Sequence, residues 1–270
     1  MRRVRSLKVK LVRSNLVKYE LRNLLGNIFM LIFGLIFPIF MSIFLGNLIG
    51  AQVPSETKDT VVTTIFISNS LMLPLATVFI GYSATFSQEL EKNIPLRFRL
   101  FGYSEKTLVL SKIVAYLIFM TVAMVIYTIV VSLGLRILVP SFASVIILIG
   151  SLYLLSIIFF VLAHGIALFI KKFGPTYAIT MILYFLIMIL SGMFGVQAKD
   201  FPEPLMKIAY LFPTTYISSE FADFWQGGSY NFMPYIQSLI LFIAVSAIVL
   251  FLAINKDSRY NHREKVSAAK

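Results

Sequence analysis

Six stretches of this chain contain no Asp, Glu, Lys or Arg: residues 24–47, 61–87, 113–135, 142–170, 175–195 and 232–254. Each is long enough to cross a hydrocarbon core, which takes about 20 helical residues. Backbone in lipid must satisfy its own hydrogen bonds, so only helices and closed barrels span a bilayer. The runs are apolar all round and lack the alternation of a barrel strand. The expected fold class is therefore all-α integral membrane, with six transmembrane helices. Composition agrees: 59% of the residues are hydrophobic and 13% charged, where a soluble domain carries about a quarter charged. With no cysteine in the chain, disulfides, thiolate metal sites and thiol nucleophiles are excluded.

The bases set the orientation. Of 24 Lys and Arg, the segments before the first span, between the second and third, between the fourth and fifth and after the sixth hold 8, 5, 2 and 5. The opposite connections hold only Lys58, Arg136, Lys199 and Lys207. Both termini are expected in the cytoplasm. The net charge of +12 sits at the edges of apolar spans, which fits anionic lipid headgroups and argues against nucleic acid.

Residues 1–23 are basic and are not a cleaved signal peptide, because the apolar run that follows is too long for one. Val9, Val12, Leu16 and Tyr19 recur at spacings of three and four, which predicts one ridge of an interfacial helix; a flexible basic arm is the alternative. The six-helix domain is expected over 24–254. Pro38 predicts a kink in the first span, and Gly46 and Gly50 make a GxxxG match at its end. The second span is the most polar. Asn69, Ser70, Thr77 and Tyr82 point to an interior or cavity-facing helix, either lining a substrate pathway or simply hydrogen-bonded to its neighbours. His164 in the fourth span has no acidic partner within any span, which favours a neutral histidine bonded to an adjacent helix over a proton relay. In the segment 196–231, Pro204 can open a short helix and Pro213 break it. Leu205, Ile208 and Phe212 share a face there, as in a hairpin that dips into the outer leaflet, or a plain surface loop. Trp225 is placed to anchor at the outer interface. The tail, 255–270, is basic, polar and expected to be mobile.

The segment 88–106 differs from the other connections. It holds Glu89, Glu91 and Glu105 with Lys92, Arg97, Arg99 and Lys106, and also Leu96, Phe98, Leu100, Phe101 and Tyr103. So much apolar surface among charges suggests a docking segment rather than a solvated connector. The chain has no G-x-x-x-x-G-K-[ST] phosphate loop, no H-E-x-x-H and no G-x-S-x-G. It carries no ionisable carboxylate within a span. These absences argue against a membrane enzyme and an ion-coupled carrier. They leave a transporter driven by another polypeptide.

Taken in order, these features resemble the membrane subunits of type 2 ATP-binding-cassette exporters, over nearly the whole chain. The resemblance rests on the basic helix ending Tyr19-Glu20-Leu21-Arg22 and on six spans with both ends inside. It rests also on a first loop running from the paired acids Glu89 and Glu91 to Lys112, and on two outer motifs, Ser191-Gly192-Met193-Phe194 and Leu211-Phe212-Pro213-Thr214-Thr215-Tyr216. Two departures are Asn93 where the family has a glycine, and Phe101-Gly102-Tyr103-Ser104 in place of a Thr-Pro or Ser-Pro. The resemblance implies a multi-pass protein of a bacterial cell membrane that pairs with a second permease copy, like or related, and with an ATPase subunit. ATP and Mg would lie on that ATPase; this chain would hold no cofactor and no metal and would itself be no enzyme. It implies ATPase coupling through Glu89, Glu91, Arg97, Phe98, Arg99 and Tyr103, with Arg13, Tyr19 and Glu20 on the interfacial helix. Glu20 and Glu91 are expected to fix the loop against that helix. Phe212, Pro213, Thr215 and Tyr216 would build an external re-entrant hairpin. Spans without fixed charge suit a hydrophobic or amphipathic substrate such as an antimicrobial peptide, a drug or a lipid-linked compound. An ion-driven secondary carrier and a structural or sensory membrane subunit are the competing readings.

Overall fold

The computed structural model describes residues 14–268, among which every regular element is helical. α1 is Ser14–Leu25. α2 runs over 28–50 and contains a π turn at Ile32–Ile36. α3 is Ser55–Glu91, α4 Ile94–Leu100, α5 Glu105–Gly134, α6 Phe142–Ile170 and α7 Phe173–Leu190. α8 is Glu203–Ala209, α9 Pro213–Trp225 and α10 Phe232–Ala268. Six of these are long and apolar enough to cross a membrane: α2, α3, α5, α6, α7 and α10.

Local chemistry explains where the helices begin and end. Ser104 and Ser141 cap α5 and α6, accepting from the amides of Thr107 (3.1 Å) and Ser144 (3.2 Å). Asn93 takes a left-handed backbone (φ 54°) between α3 and α4, and Lys171 does so (φ 59°) after α6. The irregularity expected at Pro38 takes the form of the π turn Ile32–Ile36, because a proline ring disturbs the carbonyl four residues earlier. A longer π stretch, Leu75–Tyr82, follows Pro74 in α3.

α3 is the centre of the molecule. Its most apolar window is 89% buried, against 28–50% for the other five spans. The most polar span is thus the most enclosed, as the cost of exposing its side chains to lipid requires. α6 packs against it, and α10 packs closely along α6, with Gly165 of α6 against the backbone of Leu250. The GxxxG pair at the end of α2 is used inside the chain: Gly46 meets Leu135, and Gly50 meets Val62 and Lys58.

One end of the bundle gathers α1, the turn between α3 and α5, the α6–α7 turn and the far part of α10. Lys171 pairs with Asp257 there, and Lys256 Nζ donates to Phe169 O at 2.9 Å, at the carbonyl end of α6. In the tail expected from 255 onward, α10 continues as helix to Ala268. No Pro or Gly interrupts it after Pro234. The opposite end holds α8, α9 and the α5–α6 connection.

Candidate functional site

At the first end, 88–106 is not an open loop. α3 continues through both acids, the chain turns at Asn93, α4 follows, and a second turn at Gly102 (φ 81°) leads into α5. The centre of this region is Lys112. Its Nζ lies 2.8 Å from Glu20 Oε1 and 2.6 Å from Glu89 Oε1, and all three side chains are nearly buried. One ammonium thus joins α1, the end of α3 and the start of α5.

This ion cluster sets the buried face of α1. That face is Leu16, Val17, Glu20 and Leu24, not the ridge through Tyr19 suggested by apolar spacing; Tyr19 is exposed. Spacing alone could not weigh a carboxylate as an inward residue. Of that expected ridge, Val9 and Val12, and with them Arg13, lie outside the described residues.

Glu91 has a described partner on another element. Among the described residues it has no bond to the N-terminal helix; its Oε2 accepts from the Phe173 amide at 2.9 Å, at the start of α7. Residues two apart on a helix point about 200° apart, so Glu89 and Glu91 reach different neighbours. Glu89 takes the inward contact and Glu91 ties α3 to the next turn.

α4 buries none of its residues. The Phe98 ring packs on Tyr19 and Tyr103, at centroid distances of 6.1 and 5.8 Å. Arg99 pairs with Glu105 in solvent. Arg97 is exposed, and Leu100 and Phe101 are each 81% exposed beside it. Basic and apolar groups are therefore presented together on a short helix and the turn after it, packed on the end of α3 and the start of α5, with Tyr19 of α1 against Phe98.

The polar residues of α3 are drawn into the core. Ser70 Oγ donates to Ile67 O and Thr77 Oγ1 to Leu73 O, each at 2.6 Å. Tyr82 Oη lies 2.7 Å from His164 Nδ1, so that histidine does meet a neighbouring helix. Asn69 is fully buried. With its amide oriented to satisfy both ends, Nδ2 donates to Met193 O (2.8 Å) and Oδ1 accepts from the Ser42 amide (3.2 Å). Of these four, Asn69 borders a recess of about 70 Å³, shared with the connection after α7. Sequence reasoning missed Tyr127, whose Oη donates to Phe66 O and lies beside Ser42 Oγ, both at 2.7 Å. A lone tyrosine in an apolar run gave no signal.

The opposite end is a pair of short helices. Pro213 does more than stop the first: it occupies the opening turn of α9, where its missing amide costs nothing. Thr215 Oγ1 donates to Ala209 O (2.6 Å) and Tyr216 Oη to Tyr210 O (3.0 Å), which fixes the turn between the end of α8 and the start of α9. Ser191 Oγ and Thr214 Oγ1 lie 2.5 Å apart, joining this unit to α7. The Phe212 ring faces Phe242 of α10 at 6.0 Å. Trp225 is not presented to a lipid interface as expected. Its indole is buried, with Nε1 donating to Leu138 O at 2.8 Å and the ring against Phe66.

No group of three or more His, Asp or Glu side chains is arranged to hold a metal among the described residues. Residues 56–255 match the family model described as ABC-2 family transporter protein. No curated protein matches the chain.

Proposed function

The chain belongs to the ABC-2 transporter family, and from that premise we propose that it is the membrane-spanning subunit of an ATP-driven exporter, powered by a separate ATPase chain. The observation that supports coupling most directly is α4 with its backing. A short helix and its C-terminal turn present Arg97, Leu100 and Phe101 outward, while Phe98 rests on Tyr19 of α1. Behind it, Lys112 binds Glu20 and Glu89. A load applied to α4 thereby reaches α1, α3 and α5 together.

In this reading the end with α1 is cytoplasmic, as the distribution of bases suggests. The ATPase docks on α4, and α1 lies at the inner leaflet. ATP and Mg are bound by the ATPase, while this chain supplies the path and the coupling contacts. α8 and α9 form the outer hairpin of a bacterial plasma-membrane protein. A second copy, or a related permease, completes the assembly. The substrate is hydrophobic or amphipathic, because the enclosed polar groups of α3 are neutral and bonded to carbonyls of their own helix or, for Tyr82, to His164.

Gentle affinity purification from native membranes, followed by mass spectrometry, tests the assignment. The expected result is a stoichiometric chain carrying a Walker motif. A folded, dimeric preparation that reproducibly lacks one would leave the ion-driven carrier as the better reading.

A further inference from the structure

The recess beside Asn69 has features that the hydrogen bonding of the core does not explain. It lies between α2, α3, α9 and the connection after α7, with a volume of about 70 Å³. Two of its lining groups, Ser68 Oγ and Gln197 Oε1, are buried and have no hydrogen-bond partner among the described residues. Ser68 is 5% exposed. Buried polar groups are almost always paired, so each orphan calls for an explanation. The two belong to different elements and border the same space.

The lining also defines the chemistry. None of its eleven residues is charged. A bare ion would enter without compensation, at a large desolvation cost. A hydroxyl can donate or accept, whereas an amide oxygen only accepts. The occupant must therefore offer at least one N–H or O–H donor. Ile49, Val61, Ile65 and Met193 supply apolar wall around it. A single water needs roughly 10–15 Å³ by this kind of measure. The recess thus takes a group of a few heavy atoms, not a whole drug-sized molecule. An exposed apolar strip through Phe40, Phe44 and Leu48 of α2 lies on the same helix as Ile49.

We propose that this recess is a binding site for the neutral, hydrogen-bond-donating headgroup of an amphipathic molecule, held between Ser68 and Gln197 while its apolar part stays outside in lipid. Its use in transport rests on the permease reading; the binding itself does not. A resident neutral lipid and a transported amphiphile share this headgroup chemistry.

The absence of cysteine makes the test direct. The full chain is placed in nanodiscs as the single variant Thr64→Cys. Thr64 lines the recess, but its own hydroxyl donates to Thr60 O at 2.9 Å. Alkylation by a small neutral maleimide is followed with 1-octanoylglycerol, with octanoate, or with neither. The expected result is at least threefold slower labelling with octanoylglycerol and no change with octanoate. Adding Ser68→Ala and Gln197→Leu should abolish the protection. Equal slowing by both amphiphiles, or protection that survives the two substitutions, overturns the proposal. Should the combined variant fold poorly, Ser68→Ala alone serves, since it removes only an unpaired hydroxyl. Octanoylglycerol should then raise the melting temperature of the parent and not of that variant; an equal rise in both overturns the site. Lipid extracted from the purified parent separates the sources. A stoichiometric neutral lipid, lost on Ser68→Ala with Gln197→Leu, marks a resident, and its absence alongside protection marks a transported molecule. No ATPase takes part, so failure here leaves the permease reading standing.

Discussion

Lys112 shows how one residue can define a junction. Its ammonium is enclosed with two carboxyl groups from sequence-distant elements, Glu20 and Glu89. Burying an ion is costly, and removing one partner of a buried pair leaves an uncompensated charge worth roughly 3–5 kcal/mol. Lys112→Met should therefore destabilise the folded chain by about that amount, measured by thermal or denaturant unfolding in detergent. Glu20→Gln should cost less, on the order of 1 kcal/mol, because Lys112 keeps Glu89 and one hydrogen bond. The triple variant Lys112→Met, Glu20→Gln, Glu89→Gln should recover much of the loss. If the single lysine substitution were neutral, the cluster would not hold the junction. The pairing itself was not legible from the sequence. The acids were visible as a motif, but Lys112 finds one partner 92 residues away and the other 23. Which of Glu89 and Glu91 turned inward depended on helix phase carried past the end of the apolar run.

At the scale of elements, the charge-free stretches located all six spans, because a fixed charge is expelled from lipid whatever the neighbouring sequence does. The enclosure of the second span was legible for the same reason: its hydroxyls and amide needed partners. What stayed hidden was how the elements meet. Gly165 looked like any glycine in an apolar run, yet a Cβ there would come within 2.9 Å of the Leu250 amide nitrogen and 3.0 Å of its Cα. Backbone cannot step aside as a flexible side chain can. Gly165→Ala should force α6 and α10 apart and cost about 1–3 kcal/mol, as overpacking does. Gly150, on the same helix, has open space where a Cβ would sit, with nothing within 4 Å. Gly150→Ala should therefore be neutral or gain up to about 1 kcal/mol from helix propensity. Melting temperatures of the two variants in one detergent would decide it, and equal shifts would remove the close-packing argument. That the tail past Asn255 is helical was not legible, because polar composition reads as solvated chain. Its residues are nevertheless compatible with helix, and Lys171 and the carbonyl of Phe169 anchor the first turn beyond the apolar run.

For the whole molecule, the question is how a push at one end becomes movement at the other. In the proposed coupling α4 is the surface where such a push enters, and its outward charges should be dispensable to the fold. Arg97 is exposed, and the exposed Arg99–Glu105 pair contributes no more than about 1 kcal/mol. Reversing both arginines, Arg97→Glu with Arg99→Glu, should therefore leave the melting temperature close to that of the parent. The charge presented to a docked ATPase changes sign, however, while Phe98, Tyr19 and the Lys112 cluster stay in place. With ATPase and permease reconstituted together, substrate efflux should fall by about tenfold or more, the free energy of one or two lost charge-assisted contacts. ATP hydrolysis should continue, detached from transport. Restoring Arg97 alone should return most of the efflux, since Arg99 is already engaged with Glu105. The readout separates two roles that exposure alone does not. If these arginines served only to bind lipid phosphates, the double reversal would weaken membrane attachment of this end and leave efflux per hydrolysed ATP unchanged. An unchanged coupling ratio in a stably folded variant would remove α4 as the point of entry and shift attention to the α6–α7 turn, where Glu91 already meets α7.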